Sequence, residues 1–405
     1  MRRREFLGIA AATPLMAANG WPGFRGNGAS ILDDGRIPTE WAPGRNIAWT
    51  SELAGYGQSS PVIWEDKVLV TSVDGPEKEH LLIRCLDLQS GRGLWERSLA
   101  ASERIKSSDM VSKGAPTPAA DAGGFYVFFE SGDLLAMDHS GEPLWSRALT
   151  REYGGFQGNH GIGNSLRPGS QSLYLAVTHA GPSYLLSIDR ATGRNRWKTD
   201  LSSRVAWTTP AILRAGEQEI LILSANGSVS AYDGGSGDLL WTVENVKGNT
   251  LASPTVAGDL VLIGSSERGS NLALRLGPGA GQAPEILWRA TGATAYFNSP
   301  LALNGLVFLV NKVGVAFALD QETGNELWNT RVGECWASPL GAGGNVYFFT
   351  KSGKTEVYRA GRDPEQLASN ETGAAGRLYG VAASGGALLL RFGSELVCIR
   401  SGRGK

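Results

Sequence analysis

The sequence is poor in the residues on which most enzyme and metal sites depend. Its 405 residues include three cysteines and four histidines, and 19% of them carry charged side chains. Cys85, Cys335 and Cys398 stand far apart, so no CxxC pair or zinc-ribbon spacing is present. None of the histidines lies in an HExxH motif. The net charge of −1 gives no reason to expect nucleic-acid binding.

Long hydrophobic runs are also scarce, and the one near the N-terminus is short. Residues 1–20 begin with three arginines, continue with an apolar stretch from Phe6 to Ala18 and end in small residues, as in a cleavable signal peptide. The stretch is shorter than the roughly 20 residues that span a bilayer, so we expect no transmembrane segment. Arg3-Arg4-Glu5-Phe6-Leu7 is similar to the twin-arginine export signal. The sequence therefore predicts a periplasmic or extracellular protein, the alternative being an ordinary N-terminal tail.

Glycine and tryptophan, by contrast, are abundant. The chain has 55 Gly and 12 Trp, and 42% of its residues are hydrophobic. Glycine is used at about twice its average frequency of roughly 7%. Because a Gly inside a helix costs about 1 kcal/mol relative to Ala, this composition disfavours a helical fold. The hydrophobic content is high enough to exclude disorder, so the composition predicts an all-β protein with Gly-rich turns.

One sequence unit recurs along most of the chain. It combines a Pro-led strand with an Asp, a Gly-containing turn and a Trp, as in IDRATGRNRW ending at Trp197 and LDQETGNELW ending at Trp328. The leading prolines are Pro61, Pro118, Pro168, Pro210, Pro254, Pro300 and Pro339. They are separated by 57, 50, 42, 44, 46 and 39 residues, and a period near 44 is typical of a four-stranded propeller blade.

The two ends of the chain predict how the ring closes. The last unit stops after three strands, whereas residues 46–53 form a Trp strand with no unit before it. Pairing both ends in one blade leaves no open sheet edge. We therefore predict an eight-bladed β-propeller of four-stranded antiparallel blades over residues 46–405, with residues 21–45 as an extension packing on it. The predicted inter-blade side chains are Trp49, Trp95, Trp145, Trp197, Trp241, Trp288 and Trp328, with Leu367 at the eighth position.

The repeats resemble those of a known propeller family. The D-x-x-[ST]-G-x-x-x-W pattern is similar to the pyrroloquinoline-quinone (PQQ) repeat, which quinoprotein alcohol dehydrogenases share with the outer-membrane assembly lipoprotein BamB. WPGFRGNGAS at residues 21–30, IPTEW at 37–41 and NIAWTSEL at 46–53 look like an exported PQQ-like propeller family of environmental bacteria. The resemblance covers residues 21–401 and implies the fold more strongly than any chemistry, because that family generally has no established activity.

The resemblance raises the question of a quinone cofactor. PQQ dehydrogenases resemble one another in a Trp floor under the quinone, an adjacent-cysteine disulfide above it, Ca²⁺ held by Glu and Asn, and a catalytic Asp. This sequence has no adjacent cysteines, no CxxCH haem motif and no acidic cluster before any innermost strand. We therefore expect no cofactor, no metal and no catalytic residue. PQQ with Ca²⁺ belongs to an alternative hypothesis, a dehydrogenase with a diverged site.

Propeller geometry indicates where a ligand would bind. The segments that lead into the innermost strands converge on one face of the central channel, and they carry ten candidate residues. These are Gln58, Lys113, His160, Asn164, Arg167, Trp207, Tyr296, Phe297, Trp336 and Tyr379. Aromatic side chains combined with a few polar groups are typical of a binding surface. The alternative is that the rings only plug the channel.

These features favour an exported, non-enzymatic scaffold that binds a protein, peptide or glycan in the cell envelope. We expect a monomer. A BamB-like assembly factor is a second alternative, but a lipoprotein would normally carry a Cys after its signal, and no Cys lies near residue 21.

Overall fold

A computed structural model describes residues 20–32, 36–108, 111–277, 279 and 281–402. Apart from Gly20, the predicted signal peptide over residues 1–20 lies outside these residues. The described residues form short strands and one short helix, α1 (Leu149–Tyr153). No helix among them is long and apolar enough to cross a membrane.

Eight antiparallel sheets form a ring, which confirms the predicted eight-bladed propeller. Three early strands join sheets that are completed later: β1 (Gly20–Trp21), β2 (Ile31–Leu32) and β3 (Ile47–Glu52). Blade 1 consists of β4 (Val62–Trp64), β5 (Lys67–Asp74), β6 (His80–Asp87) and β7 (Gly93–Ala100). Blade 2 consists of β8 (Ala119–Asp121), β9 (Gly124–Phe128), β10 (Asp133–Met137) and β11 (Pro143–Ala148).

Blades 3 to 5 follow in chain order, each starting at the channel and ending at the periphery. Blade 3 consists of β12 (Arg167–Pro168), β13 (Ser172–Val177), β14 (Ser183–Asp189) and β15 (Asn195–Leu201). Blade 4 consists of β16 (Ala211–Ala215), β17 (Gln218–Ala225), β18 (Gly227–Asp233) and β19 (Leu239–Val246). Blade 5 consists of β20 (Thr255–Ala257), β21 (Leu260–Ile263), β22 (Leu272–Arg275) and β23 (Glu285–Arg289).

Blades 6 to 8 complete the ring. Blade 6 consists of β24 (Leu301–Leu303), β25 (Leu306–Val310), β26 (Val315–Asp320) and β27 (Glu326–Arg331). Blade 7 consists of β28 (Leu340–Ala342), β29 (Asn345–Phe349), β30 (Thr355–Arg359) and β31 (Gln366–Asn370). Blade 8 consists of β32 (Leu378–Ser384), β33 (Ala387–Phe392) and β34 (Glu395–Arg400), and β3 pairs with β34 as its outermost strand. The N-terminal strand therefore closes the ring as the sequence predicts.

The core lies between adjacent blades, which explains the composition of the strands. Strands near the middle of a blade are covered on both faces and are continuous apolar runs; all five side chains of β25, LVFLV, are buried. Outermost strands are covered on one face only, so β15, NRWKTDL, alternates between partly buried and exposed side chains.

The repeated Trp and Gly residues meet between neighbouring blades. Trp145 of β11 donates its indole N–H to the Arg190 oxygen of blade 3 at 2.8 Å. A Cβ at Gly193 would lie 2.5 Å from that ring, which leaves no space for a side chain. The φ of 71° at this position also favours glycine over any other residue. Six of the seven predicted tryptophans donate such a bond within the described residues: Trp49, Trp95, Trp145, Trp197, Trp288 and Trp328.

A ladder of Ser and Thr residues links the starts of the innermost strands. The backbone N–H of one blade donates to the hydroxyl of the next at 2.9–3.1 Å, in the order Ser60, Thr117, Ser165, Thr209, Ser253, Ser299 and Ser338. In blade 3 the residue after the hydroxyl is Leu166, so the prediction of Pro168 as the leading residue is wrong. Pro168 instead lies inside β12, opposite Leu173.

Residues 20–32, hereafter the N-terminal segment, lie inside the ring. β1 adds antiparallel to β4 of blade 1, and β2 adds parallel to β28 of blade 7. Between these strands, Arg25 donates to Thr255 Oγ1 at 2.8 Å in blade 5 and to the Pro300 oxygen at 2.7 Å in blade 6. Bonds from Ala120 of blade 2 and Arg167 of blade 3 also reach the segment. The N-terminal segment thus contacts the inner strands of six blades.

Candidate functional site

Five aromatic rings form a continuous arc at the mouth of the channel. The segments that lead into the innermost strands, hereafter the lead-in segments, converge there. We call this set the aromatic arc; it consists of Tyr296, Phe297, Trp336, Tyr379 and Tyr56, from blades 6, 7, 8 and 1. Centroids of consecutive rings lie 4.6, 5.0, 5.4 and 5.9 Å apart. These separations suit favourable aromatic pairs. All five rings are partly buried, so each keeps an accessible portion at the mouth.

Four cationic side chains lie over the rings of the arc. Lys312 Nζ is 5.3 Å from the centroid of Tyr296, and Lys113 Nζ is 5.3 Å from that of Tyr56. Lys351 Nζ and Arg377 Cζ lie 4.7 and 5.5 Å from the centroid of Trp336. A cation over a ring at these distances is attracted by the ring's negative face. The arc is therefore an aromatic surface bordered by positive charge.

Sequence reasoning missed Tyr56, Lys312, Lys351 and Arg377. Lys312 and Lys351 come from the turns between the second and third strands of blades 6 and 7, not from lead-in segments. Because successive strands in a blade alternate in direction, those turns lie on the same face as the lead-in segments. Applying this alternation to the predicted strands would have placed both lysines at the mouth.

Glu334 is a carboxylate that borders the arc. Its Oε1 accepts a hydrogen bond from Trp336 Nε1 at 2.8 Å, and Lys351 Nζ lies 3.2 Å from both oxygens. Partial burial alone would raise the pKa of Glu334, but the bonds from Trp336 and Lys351 outweigh it and hold the pKa below its ordinary value. The ionised carboxylate thereby fixes the Trp336 ring and neutralises one of the four cations.

The other side of the mouth is a chain of backbone-linked polar residues. Gln58 and Lys113 are joined by a backbone bond of 3.0 Å and by a bond of 2.9 Å from the Lys113 N–H to Gln58 Oε1. The His160 oxygen accepts from the Ser112 N–H, and its ring lies 6.0 Å from that of Trp207. Trp207 Nε1 in turn donates to the Gly161 oxygen at 2.8 Å. Trp207 is therefore separate from the aromatic arc.

Two of the ten predicted mouth residues are buried in the scaffold. Asn164 donates to Thr178 Oγ1 at 3.0 Å and to the Thr208 oxygen at 2.9 Å, which joins blades 3 and 4. Arg167 donates to backbone oxygens of the N-terminal segment, and burial lowers its pKa to about 10. Of the other eight predicted residues, four belong to the arc and four to the second group of linked residues: Tyr296, Phe297, Trp336 and Tyr379, and Gln58, Lys113, His160 and Trp207.

The described donors do not fit PQQ with Ca²⁺. No group of three or more His, Cys, Asp or Glu side chains in this part of the chain could hold a metal ion. Cys85, Cys335 and Cys398 are free and buried in different blades, so no disulfide lies over the channel. Burial raises the pKa of the Cys85 and Cys398 thiols to about 12 and raises that of Cys335 as well. The arrangement suits recognition by aromatic and charged groups, and we derive no quinone chemistry from it.

Comparison with known proteins agrees with the fold. A family model described as outer membrane protein assembly factor BamB matches residues 40–160, 157–363 and 282–405. BamB of Shewanella oneidensis is 23% identical over 224 residues, 55% of this chain, and the match spans about half of the relative's length, 51%.

Solved structures are similar over most of the ring. BamB from Moraxella catarrhalis has a TM-score of 0.62 at 14% identity, over 87% of this chain and 98% of that one. A europium-containing methanol dehydrogenase has a TM-score of 0.71 at 10% identity, over 92% of this chain and 89% of that one. At such identities both likenesses concern the fold alone.

Proposed function

Because this chain belongs to the family described as outer membrane protein assembly factor BamB, we propose that it is an exported, non-enzymatic propeller that binds a protein in the cell envelope. The observation that carries the proposal is the aromatic arc with its bordering cations. The family's name describes an assembly factor, and we carry that role over as the binding of a protein partner. Export is part of the proposal and rests on the sequence of residues 1–20.

The composition of the arc supports a protein partner. Trp, Tyr and Arg are the side chains that most often dominate binding energy at protein interfaces, and the arc contains Trp336 and three tyrosines, with Arg377 at its border. Val313, which adjoins Lys312 in the same turn, is 60% exposed and extends the apolar surface. A fully desolvated centre surrounded by polar groups is the usual anatomy of such an interface.

The position of the N-terminal segment supports a ligand that lies across the mouth. The N-terminal segment occupies the inner side of the ring, where Trp21 and Arg25 are almost completely buried. A small molecule would need a deep, enclosed pocket to bury most of its surface. A protein surface or peptide can instead use the arc as an extended platform.

Site-specific photo-cross-linking tests the proposal in living cells. A photoreactive residue at Val313 should cross-link to one defined envelope protein, and Trp336→Ala should abolish the product while the fold survives. A photoreactive residue at Leu239, which is 57% exposed on the outermost strand of blade 4, is the matched control.

Two results would count against the proposal. Equal cross-linking from Leu239 would mean that the product does not depend on the mouth. Retention of the purified protein on envelope polysaccharide, with no protein product from Val313, would replace the protein partner by a glycan.

A further inference from the structure

The charges around the aromatic arc indicate the chemistry of its partner. Lys312 and Arg377 are exposed, and neither forms an ion pair within 4.0 Å among the described residues; Arg377 acts on Glu334 only at longer range, where it helps to lower the pKa of that carboxyl. Glu334, which borders the arc, is held by Lys351 and Trp336. The arc therefore presents more positive than negative charge at the place where its rings are accessible.

The cations can meet a partner without leaving the rings. A Lys ammonium has three donors and an Arg guanidinium has five, so contact with a ring face leaves several N–H groups directed outward. A carboxylate that approaches Lys312 or Arg377 would gain a charge-assisted hydrogen bond on the side away from the ring. Ring contact also holds each long side chain in place, which reduces the entropy lost on pairing.

The length of the arc suits an extended segment. Side chains on one face of an extended strand repeat at roughly 7 Å, because each residue advances about 3.3 Å and alternate residues face opposite sides. Five rings, at centroid separations of 4.6–5.9 Å and spread over four blades, offer room for several such side chains. A segment that alternates apolar and acidic residues would place apolar groups on the rings and carboxylates beside the cations.

We propose that the aromatic arc binds a peptide segment of the partner protein that contains both acidic and apolar residues, and that Lys312 and Arg377 bind its carboxylates. This inference rests on the function proposed above and adds the partner's charge to it. Exposed ion pairs contribute little each, so the rings supply most of the affinity and the cations supply selectivity.

Peptide binding to the purified mature protein tests the inference. The probes are three fluorescent peptides of one length, in which Phe and Leu alternate with Glu, with Gln or with Lys. We expect the Glu peptide to bind about tenfold more tightly than the Gln peptide at low salt, with the difference shrinking at high salt, and the Lys peptide to bind most weakly. Fluorescence anisotropy measures the three affinities.

A charge-matched pair of variants locates the effect. Lys312→Gln with Arg377→Gln should reduce the preference for Glu over Gln to about twofold or less, and the ratio of the two affinities is the readout. Lys106→Gln with Arg268→Gln removes the same charge from exposed positions outside the arc and should leave the preference intact.

The outcomes separate this inference from the proposed function. Equal binding of the Glu and Gln peptides, both lost in Trp336→Ala, would reject the acidic partner and leave protein binding by the arc in place. An equal loss of preference in both double variants would assign the effect to net charge and reject the two named residues. Absence of binding by all three peptides would reject the inference, whereas the cross-linking result decides the proposed function independently.

Discussion

Three arginines are buried in the propeller without an ion-pair partner among the described residues: Arg25, Arg167 and Arg391. Arg391 is fully buried and donates to Ser72 Oγ and to the Gly393 oxygen, both at 2.9 Å. Burial lowers the pKa of Arg25 and of Arg391 to about 9. Burying a cation is costly unless its donors are paired, and each of these arginines donates to backbone oxygens: Arg25 and Arg391 to those of neighbouring blades, and Arg167 to those of the N-terminal segment. Arg167 Nε and one Nη of Arg391 have no partner among the described residues.

Replacing Arg25 tests this account of the buried arginines. Arg25→Met keeps the apolar stem and removes the bonds from Arg25 to Ser30 Oγ, the Pro254 oxygen, Thr255 Oγ1 and the Pro300 oxygen. The Pro300 oxygen still accepts from Thr255 Oγ1 at 2.6 Å, so the loss falls on the other buried acceptors. We expect the free energy of unfolding to fall by about 2–4 kcal/mol. Arg45→Met removes an exposed ion pair with Glu40 and should cost less than about 1 kcal/mol. Equal losses in urea titrations of the two variants would contradict the prediction.

At the scale of the strand and the turn, one position of the hydroxyl ladder has no room for a side chain. Gly380 of β32 stands where the other blades carry Ser or Thr, and a Cβ there would lie 2.6 Å from Ser60 Cα. Such a short contact would force the backbone to move, which costs more than moving the end of a flexible side chain. The ladder therefore ends at blade 8, where the two termini of the propeller meet.

A pair of Gly→Ala substitutions measures this close approach. Gly380→Ala should lower the free energy of unfolding by about 2 kcal/mol or more, because the methyl group meets the Ser60 backbone. Gly361→Ala is the matched control, since its Cβ meets nothing within 4 Å and neither glycine has a left-handed φ. Similar stabilities of the two variants in chemical denaturation would show that β32 shifts freely at Gly380.

The same elements explain what the sequence could and could not predict. The Trp and Gly of each repeat lie in one turn and one strand, so spacing alone was enough to count blades and to place the closing strand β3. β1 and β2 have two residues each and no periodicity to read. Lys312 and Lys351 belong to no motif, and only the alternation of strand direction within a blade relates their turns to the arc. Arg167 is a charged residue in a segment that leads into an innermost strand, as expected of a mouth residue, but the N-terminal segment buries it.

At the scale of the whole molecule, two systems hold the ring together. β3 closes it at the periphery by pairing with β34. The N-terminal segment connects it from inside, where Trp21 packs in the core and bonds reach six blades. The first system fixes which strands are neighbours, and the second ties blades on opposite sides of the channel to one another.

Removing the N-terminal segment separates the two systems. A mature protein that begins at Arg36 keeps β3 and should retain its β-sheet circular dichroism, because the peripheral closure is intact. It loses the buried Trp21 and the donors of Arg25, so we expect a melting temperature lower by several degrees. Amide exchange should accelerate first in β4 and β28, whose inner edges lose their partner strands, and least in β34. Unfolding of the truncated chain as a whole would mean that the ring cannot close without its internal segment, and unchanged exchange in β4 and β28 would mean that the segment carries no stability.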